Sequence, residues 1–191
     1  MAVGFADMVG FTAMSERLSL DDLAGVVDRF EEISLDVVTS EGGRIVKTMG
    51  DECMFVADSA RAAARIGVRL AEHHTDDAYA ADVRIGLACG PVLPADGDYF
   101  GPTVNLASRL VGIADPGNVL ISAAMRAELD STAPGEFSFR SAPNRELKGI
   151  GEVEMVWCGW AASPHAPSVD VGDLRRRWRW WWSSGGMPSQ P

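Results

Sequence analysis

A two-residue connection between two apolar runs limits the folds that this chain can adopt. Arg44–Met49 and Glu52–Ala57 are separated only by Gly50 and Asp51. Gly-Asp between two strand-like runs is a signal for a tight β-hairpin, which joins antiparallel neighbours. The sequence therefore predicts an antiparallel sheet that contains this hairpin.

A long helical segment precedes the hairpin. Ser19 is followed by Asp21 and Asp22, a pattern typical of a helix N-terminus, and the helix should end at the Gly42-Gly43 pair. Its apolar residues recur at steps of three and four: Leu20, Leu23, Val27, Phe30, Ile33 and Val37. This spacing predicts an amphipathic helix with one buried face.

The rest of the chain continues to alternate between helix and strand. The segments are a helix from about Ser59 to His74, a strand in "DVRIGLACGPV", a helix in "TVNLASRLVGIA", a strand in "NVLIS", a helix from Ala123 to about Leu129 and a closing antiparallel region in "ELKGIGEVEMVWCGW". Interleaved helices and strands indicate an α/β (α+β) fold, with helices packed on a mostly antiparallel sheet.

Composition narrows the class of protein. A chain of 191 residues that is 47% hydrophobic suits one domain with a substantial core. The net charge of −10 argues against a nucleic-acid groove, so no nucleic-acid partner is expected, and an anionic substrate would need a bridging metal. Cys53, Cys89 and Cys158 lie in apolar runs without zinc-site spacing, and the first residues lack signal-peptide features. We expect reduced core cysteines in a cytoplasmic protein.

The composition changes after Ala162, which predicts a folded domain over residues 1–162 and a tail over residues 163–191. The tail collects Pro, Ser and Gly around the segment "RRRWRWWW". Arg and indole side chains can bind anionic lipid or nucleic acid, but this composition favours a disordered segment. Membrane contact by the tail is therefore the weaker of the two interpretations.

Two carboxylates stand where a metal ion and a phosphate could meet. In "VGFADMVGFT" an apolar strand ends at Asp7, and a Gly-containing turn leads through Phe11 to Thr12, a suitable helix N-cap. Backbone N–H groups in such a turn suit a phosphate. Asp7, together with Asp51 at the hairpin tip, could hold two divalent ions for an in-line displacement. Taken singly, each aspartate is more often a turn residue or a cap.

A polar pair stands on the predicted helix in "TVNLASRLVGIA". Asn105 and Arg109 are four residues apart and therefore share one helix face. An amide and a fixed cation on one face can act on the same group of a substrate. A solitary pair of this kind is more often a solvated surface.

Five blocks of the chain occur together in one order. They are "FADMVGFT", "VKTMGDECMFVA", "VRIGLACGPV", "DYFGPTVNLASRL" and "ELKGIG". In that order and at roughly that spacing they resemble the catalytic domain of class III nucleotidyl cyclases, over about Val3 to Trp160. The resemblance implies a ferredoxin-like βααββαβ core. It also implies a head-to-tail homodimer with two composite sites that converts a nucleoside triphosphate to a 3′,5′-cyclic nucleotide and pyrophosphate.

The resemblance assigns one group of residues to metal and phosphate. Asp7 and Asp51 match the family's metal-binding aspartates, which implies two Mg²⁺ or Mn²⁺ ions per active site. Arg84 matches a triphosphate contact, and Phe11 and Thr12 lie in the turn expected to bind phosphate. Asp7, Asp51 and Arg84 would act from one subunit.

A second group would act from the other subunit. Lys47 and Asp98 match the pair that selects the base, Asn105 and Arg109 match the transition-state pair, and Lys148 matches a further triphosphate contact. Lys47 can only donate hydrogen bonds and ionised Asp98 can only accept them, which fits N1 and the 6-amino group of adenine. The expected function is therefore adenylyl cyclase with ATP as substrate. The alternatives are guanylyl cyclase, which this pair disfavours, and a non-catalytic cyclase-like domain that binds nucleotide for regulation.

Overall fold

Five helices and eleven strands alternate along the computed structural model, which describes residues 1–76 and 81–161. The strands are β1 (Ala2–Met8), β2 (Arg44–Met49), β3 (Glu52–Ala57), β4 (Val83–Cys89), β5 (Leu93–Ala95), β6 (Asp98–Phe100), β7 (Val119–Ser122), β8 (Phe137–Ser141), β9 (Arg145–Leu147), β10 (Gly151–Val153) and β11 (Met155–Trp160). The helices are α1 (Phe11–Ser15), α2 (Leu20–Ser40), α3 (Ala60–Asp76), α4 (Pro102–Ile113) and α5 (Ala123–Thr132). The expected tail, residues 163–191, lies outside the described residues.

Seven strands form the main sheet in the order β2-β3-β1-β4-β7-β11-β8. Only the β4–β7 pair is parallel, whereas the other neighbours run antiparallel. The first part of the chain follows the order β1-α1-α2-β2-β3-α3-β4, and its strands lie in the spatial order β2-β3-β1-β4. This arrangement confirms the predicted ferredoxin-like βααββαβ core and the mostly antiparallel sheet.

The main sheet is covered on both faces. One face packs against α2, α3 and α5, through a core that includes Ala6 and Met8 of β1. The other face packs against α4 and includes Val3 and Phe5 of the same strand, as the two-residue period of a strand requires. We call this second side the α4 face.

A glycine lets α4 lie directly on β4. A Cβ atom added to Gly86 would stand 2.2 Å from the backbone N of Val111 and 2.6 Å from the backbone O of Ala107. Because β4 is therefore buried on both sides, its small residues Gly86 and Ala88 form a surface on which α4 packs, with Arg84 at the edge.

The predicted β2–β3 hairpin is present, and its turn is Gly50-Asp51 with a positive φ of 67° at Gly50. An irregularity interrupts β2 between Ile45 and Lys47. Arg44 pairs with Val56 and Ile45 with Phe55, but Lys47 and not Val46 pairs with Met54. Such a β-bulge changes which side chains share a face.

The long helix agrees with the prediction, except at its first residue. The Ser19 side chain accepts a hydrogen bond from the Asp22 backbone N at 3.1 Å, as expected for an N-cap. Leu20 was expected on the buried face but is 84% exposed, because the first turn extends beyond the edge of the core. Phe30, Ile33 and Val37 are buried as predicted.

The predicted N-cap at Thr12 is wrong. Helix α1 begins at Phe11, and its N-cap is Gly10, with a left-handed φ of 78°. Glycine adopts this conformation without steric cost, which allows the helix to begin two residues earlier than it would after a cap at Thr12. Two strand regions, β5–β6 and β8, were not predicted at all.

The cysteines are free thiols in the described structure. Burial raises the pKa of Cys53 to about 12 and that of Cys158 to about 12, which makes both poor nucleophiles at neutral pH. Cys89 is only half-buried, so it departs from the expectation of three core cysteines.

No helix within the described ranges combines the length and apolarity needed to cross a membrane.

Candidate active site

Three charged residues form a row across the central strands of the main sheet. Asp7 of β1 pairs in register with Glu52 of β3 on one side and with Arg84 of β4 on the other. Residues directly opposite each other in a sheet project to the same face. Asp7 is in step with Val3 and Phe5, so this row lies on the α4 face, at the end of the strands.

An ion pair lies within this row. The Arg84 Nε atom donates a hydrogen bond to Asp7 Oδ2 at 2.5 Å, with side chains 37% and 14% exposed respectively. A mostly buried carboxylate of this kind needs a cationic partner to remain ionised. Arg84 supplies that charge in the described structure.

The tip of the β2–β3 hairpin lies beside the end of β1. The backbone N–H of Met8 donates to the backbone O of Asp51 at 2.9 Å, which holds residue 51 next to Asp7. The structure therefore brings together the two aspartates predicted as metal ligands, although they are 44 residues apart in the sequence.

Electrostatics at Asp7 reflect this crowding. Burial raises the pKa of the Asp7 carboxyl, hydrogen bonding and charge attraction from Arg84 lower it, and repulsion from Asp51 raises it, with a net upward shift. Burial also raises the pKa of Glu52, to which the charges of Asp7 and Asp51 add. The site therefore holds more negative charge than Arg84 alone neutralises.

These carboxylates fit a divalent cation. Hard ions such as Mg²⁺ prefer carboxylate oxygens, and a cation between Asp7 and Asp51 would relieve their mutual repulsion. No cluster of three or more metal-ligating side chains occurs among residues 1–76 and 81–161, so a bound ion would also need oxygen ligands from water or substrate. Such a donor set is typical of Mg²⁺ sites that bind substrate phosphates.

The two predicted backbone contacts for phosphate follow this site along the chain. Phe11 and Thr12 are the first two residues of α1, and their N–H groups are among those that lack partners within the helix. The Thr12 side chain is exposed, whereas Phe11 packs partly against the core. No side chain in the described structure, Thr12 included, makes a capping hydrogen bond to the N-terminus of this helix.

A second ion pair joins β2 to the β5–β6 hairpin. Lys47 Nζ lies 2.5 Å from Asp98 Oδ2, with side chains 38% and 26% exposed. The backbone N–H of Tyr99 donates to the other carboxylate oxygen, Asp98 Oδ1, at 2.7 Å. The hydrogen bond from Lys47, and then that from Tyr99, lower the pKa of Asp98, which keeps the carboxylate ionised at neutral pH.

The remaining predicted residues lie on exposed surfaces. Asn105 and Arg109 are one turn apart on α4, and Lys148 lies in the turn between β9 and β10. Within the described part of the chain, no side-chain hydrogen bond or ion pair engages any of these three residues. Among the described residues, none of the three therefore makes a polar side-chain contact with Asp7, Asp51 or Arg84.

Sequence reasoning missed three residues next to these groups. Glu52 completes the charged row, and the alternation of β3 could have placed it on the α4 face with Met54. Arg44 and Tyr99 contact each other beside the Lys47–Asp98 pair. The signal for Tyr99 was the Asp96-Gly97 dipeptide, which predicts a tight hairpin.

Comparison with protein families matches residues 1–159 to the adenylate and guanylate cyclase catalytic domain. An adenylate cyclase from Streptomyces coelicolor is 46% identical over 132 residues, which cover 69% of this chain and 35% of that protein. An adenylate cyclase from Glutamicibacter nicotianae is 37% identical over 153 residues, which cover 80% of this chain and 38% of that protein. The chain thus spans little more than a third of the length of these curated relatives.

Solved structures share the fold. The catalytic core of a rhodopsin-guanylyl cyclase with converted specificity, in complex with ATPαS, superposes with a TM-score of 0.74 at 26% sequence identity. The match covers 83% of this chain and 94% of that chain.

Proposed function

Because this chain belongs to the adenylate and guanylate cyclase catalytic domain family, we propose that it converts ATP to 3′,5′-cyclic AMP and pyrophosphate. The observation that carries the choice of ATP is the Lys47–Asp98 pair, with 2.5 Å between Nζ and Oδ2. The names of the relatives from Streptomyces coelicolor and Glutamicibacter nicotianae support the same activity.

Base choice follows from hydrogen-bond chemistry. Lys47 would donate to N1 of adenine, and Asp98 would accept from the 6-amino group. Guanine presents an N–H at N1 and an acceptor at O6, so both contacts would be mismatched. Each buried polar group left unpaired costs about 1–3 kcal/mol, which gives a large preference for ATP.

We propose that Asp7 and Asp51 hold two divalent ions, Mg²⁺ or Mn²⁺, in each site. Their adjacent carboxylates and the net excess of negative charge there support this assignment. When bound, such ions supply the positive charge that makes the ribose 3′-hydroxyl easier to deprotonate and that neutralises the phosphates. No protein side chain is then required as the general base.

The protein's own side chains would orient and neutralise the rest of the substrate. Arg84 and Lys148 would bind the triphosphate, and the backbone N–H groups of Phe11 and Thr12 would add phosphate contacts. Arg84 donates through Nε to Asp7, so its terminal nitrogens are the ones available for phosphate. Each of these contacts would favour the polyphosphate in the geometry needed for displacement.

Asn105 and Arg109 would act at the reacting centre. The Asn105 amide would orient the ribose, and the Arg109 guanidinium would stabilise charge that builds on the α-phosphate as the ring closes. Both are exposed on α4 and one helical turn apart, which supports their action on a single bound molecule.

We propose that the working enzyme is a head-to-tail homodimer with two composite sites. Asp7, Asp51 and Arg84 would come from one subunit, and Lys47, Asp98, Asn105, Arg109 and Lys148 from the other. Within the described ranges of the chain, no hydrogen bond or ion pair joins Asp7 to Asn105 or Arg109, which supports this division.

Exposed apolar side chains also support a partner surface. Leu93 is 65% exposed and Phe100 is 51% exposed, and these two residues pair across the β5–β6 hairpin. Met49 lies at the end of β2, two residues beyond Lys47, and Ile150 lies two residues beyond Lys148; both are also exposed. Large apolar side chains next to site residues are typical of a surface that a second chain covers.

We further propose that the catalytic domain ends at residue 162 and that the enzyme is cytoplasmic. The extent of the family match, residues 1–159, supports the boundary. Residues 163–191 would then lie outside the catalytic domain.

One assay tests the proposed activity. Purified chain is incubated with ATP or GTP, and with Mg²⁺ or Mn²⁺ in parallel, and cyclic AMP and cyclic GMP are measured. Cyclic AMP formation from ATP that depends on the added metal is the expected result. Cyclic GMP as the main product would support guanylyl cyclase, and the absence of both products would support a non-catalytic regulatory domain.

A further inference from the structure

Side-chain contacts, and not backbone pairing with the main sheet, hold Asp98 opposite Lys47. Strands β5 and β6 pair only with each other in the described structure and form a separate two-stranded sheet. The turn between them is Asp96-Gly97, with positive φ angles of 51° and 81°. Because this hairpin does not join the backbone ladder of the main sheet, other contacts must hold Asp98 opposite Lys47.

A contact beside the ion pair can do this. Arg44 of β2 donates from a terminal guanidinium nitrogen to the Tyr99 hydroxyl at 2.8 Å, and the guanidinium carbon lies 5.5 Å from the centre of the Tyr99 ring. A cation over an aromatic face within about 6 Å is attracted to it. The Tyr99 ring also packs against the core of the α4 face.

The β-bulge in β2 explains how two residues of this strand, Arg44 and Lys47, both contact the β5–β6 hairpin. In a regular strand, residues three apart project to opposite faces. The register shift between Ile45 and Lys47 places Arg44 opposite Val56 and Lys47 opposite Met54, and both of those partners lie on the α4 face. Arg44 and Lys47 can therefore contact Tyr99 and Asp98, which are adjacent on β6.

Tyr99 also acts on Asp98 directly. Its backbone N–H donates to Asp98 Oδ1, so the carboxylate is held from one side by Tyr99 and from the other by Lys47. A shift of Tyr99 would rotate or displace the carboxylate that is proposed to accept from adenine. The two contacts thus form a continuous chain from Arg44 through Tyr99 to Asp98.

We propose that Arg44 and Tyr99 form a clamp that holds the β5–β6 hairpin against β2 and thereby sets the spacing at which Lys47 and Asp98 select the purine base. Arg44 and Tyr99 are positioning residues, since their effect on the base passes through Asp98. This inference rests on the proposed function, because it concerns the selectivity of that same site.

Selectivity should relax when the clamp is lost. With the hairpin held, a base with N1–H and O6 meets two mismatched partners that cannot move away. With the hairpin released, Asp98 can withdraw from O6, and ATP loses a well-oriented acceptor at the same time. The ratio of kcat/KM for ATP to that for inosine triphosphate, which differs from ATP on this edge of the base, reports the effect.

The experiment compares 191-residue chains that carry Arg44→Met, Tyr99→Leu, or both. In each single variant we expect the ATP to inosine triphosphate ratio to fall by about 5- to 10-fold, mainly through a higher KM for ATP. The double variant should fall little further, because both substitutions remove the same contact. Tyr99→Phe, which keeps the ring but not the hydroxyl, should give an intermediate ratio.

Arg126→Met is the matched control. Like Arg44, Arg126 places its guanidinium carbon over an aromatic ring, 3.9 Å from the centre of Phe139, but it lies on the opposite side of the main sheet and pairs with Asp130 at 2.7 Å. The ATP to inosine triphosphate ratio of Arg126→Met should equal that of the wild type. Thermal unfolding of every variant checks that the fold is retained.

A ratio within about twofold of the wild type in both Arg44→Met and Tyr99→Leu would overturn the inference. An equal loss of activity on both nucleotides would also overturn it, since that result means a general structural role. If the wild-type chain forms no cyclic AMP, the proposed function fails and the inference fails with it. Active wild type with unchanged selectivity in the variants contradicts the inference alone.

Discussion

Asp7 is the residue on which the chemistry of the proposed site depends most. It is mostly buried, it is flanked in register by Glu52 and Arg84, and it lies beside Asp51. Arg84 compensates its charge in the described structure, and a divalent cation would be expected to strengthen that compensation. The raised pKa of Asp7, which burial causes, means that part of its affinity for a cation would be lost to protonation in acid.

Loss of either aspartate should abolish turnover. Asp7→Asn or Asp51→Asn is expected to reduce cyclic AMP formation by at least roughly 100-fold. Each substitution removes a direct metal ligand, and this costs more activity than the loss of a residue that only orients such a ligand. Activity is measured with both Mg²⁺ and Mn²⁺. Asp36→Asn, at an exposed position of α2, should leave the rate unchanged. Near-normal activity in the Asp7 or Asp51 variant would contradict the metal assignment.

The proposed base-selecting pair, Lys47 and Asp98, leads to a separate prediction. Lys47→Glu combined with Asp98→Ser replaces the donor with an acceptor and removes the ionised acceptor. ATP turnover should fall by about 100-fold or more, and some GTP turnover should emerge, because N1–H of guanine can then donate to the new carboxylate. Kinetics with both nucleotides test this expectation. Unchanged ATP cyclisation would mean that Lys47 and Asp98 do not contact the base.

The packing of α4 on β4 links the stability of the fold to the geometry of the proposed site. Gly86→Ala would place a Cβ atom 2.2 Å from the Val111 backbone N, so α4 must move away from the sheet. We expect the free energy of unfolding to fall by about 2–3 kcal/mol. Activity should fall as well, because α4 carries Asn105 and Arg109. Denaturant unfolding and cyclase assays measure the two effects.

Gly112→Ala is the control within the same helix. Apart from its own and neighbouring residues and the nearby backbone of its helix, no atom of the described structure lies within 4 Å of the added Cβ. Alanine in a helix is more favourable than glycine by about 0.5–1 kcal/mol. This variant should be slightly more stable than the wild type and fully active. Equal behaviour of Gly86→Ala and Gly112→Ala would contradict the close approach of α4 to β4.

The ion pairs between Glu41, at the end of α2, and two arginines of α3 predict that the stability of the fold depends on pH. The Glu41 side chain, 9% exposed, accepts from Arg65 Nε at 2.5 Å and lies 3.0 Å from Arg69. Hydrogen bonding to Arg65 lowers the pKa of Glu41 below its ordinary value of 4.5. A lowered folded-state pKa contributes stability above pH 4.5 that is lost as the pH falls through the folded-state pKa.

Glu41→Gln should therefore destabilise the protein by about 1–2 kcal/mol at pH 7, and the difference from the wild type should shrink below pH 4.5. Urea unfolding at pH 7 and at pH 3.5 measures this difference in the free energy of unfolding. Glu32→Gln, which removes an exposed pair with Arg29, should cost less than about 0.5 kcal/mol at either pH. A Glu41 effect that is the same at both pH values would argue against the ion pair.

Sequence patterns predicted the elements with strong periodicity and missed those that depend on tertiary contacts. The α2 face and the β2–β3 hairpin followed from spacing and from Gly50-Asp51. The β5–β6 hairpin was missed although Asp96-Gly97 is a strong turn signal, because strands of three residues are too short to show alternation. No pattern indicated the bulge next to Lys47, since a bulge is defined by the partner strand.

The candidate site shows the same limit. The strand end at Asp7 and the hairpin tip at Asp51 suggested that the two carboxylates could meet, but each aspartate alone is more often a cap or a turn residue. The family resemblance favoured their partnership, and the register of β1, β3 and β4 now explains their proximity. Glu52 and Tyr99 were missed because their relevance comes from neighbours that are distant in sequence.

In the whole molecule, we propose that two chains together build each active site. In a twofold homodimer each site would take Asp51 from one chain and Arg109 from the other. Asp51→Ala and Arg109→Ala homodimers should both be nearly inactive, because each has two damaged sites. In a mixed dimer both lesions fall in one site, and the other site is wholly wild type.

The most direct test measures cyclic AMP formation by the Asp51→Ala and Arg109→Ala chains, first apart and then mixed in equal amounts after subunit exchange. Free exchange makes about half of the dimers mixed, and each has one of two sites intact, so activity should return to about a quarter of the wild type. It should vanish again on dilution below the dimer dissociation constant. If both chains remain inactive after exchange has been verified independently, each site is built within one chain and the account is contradicted.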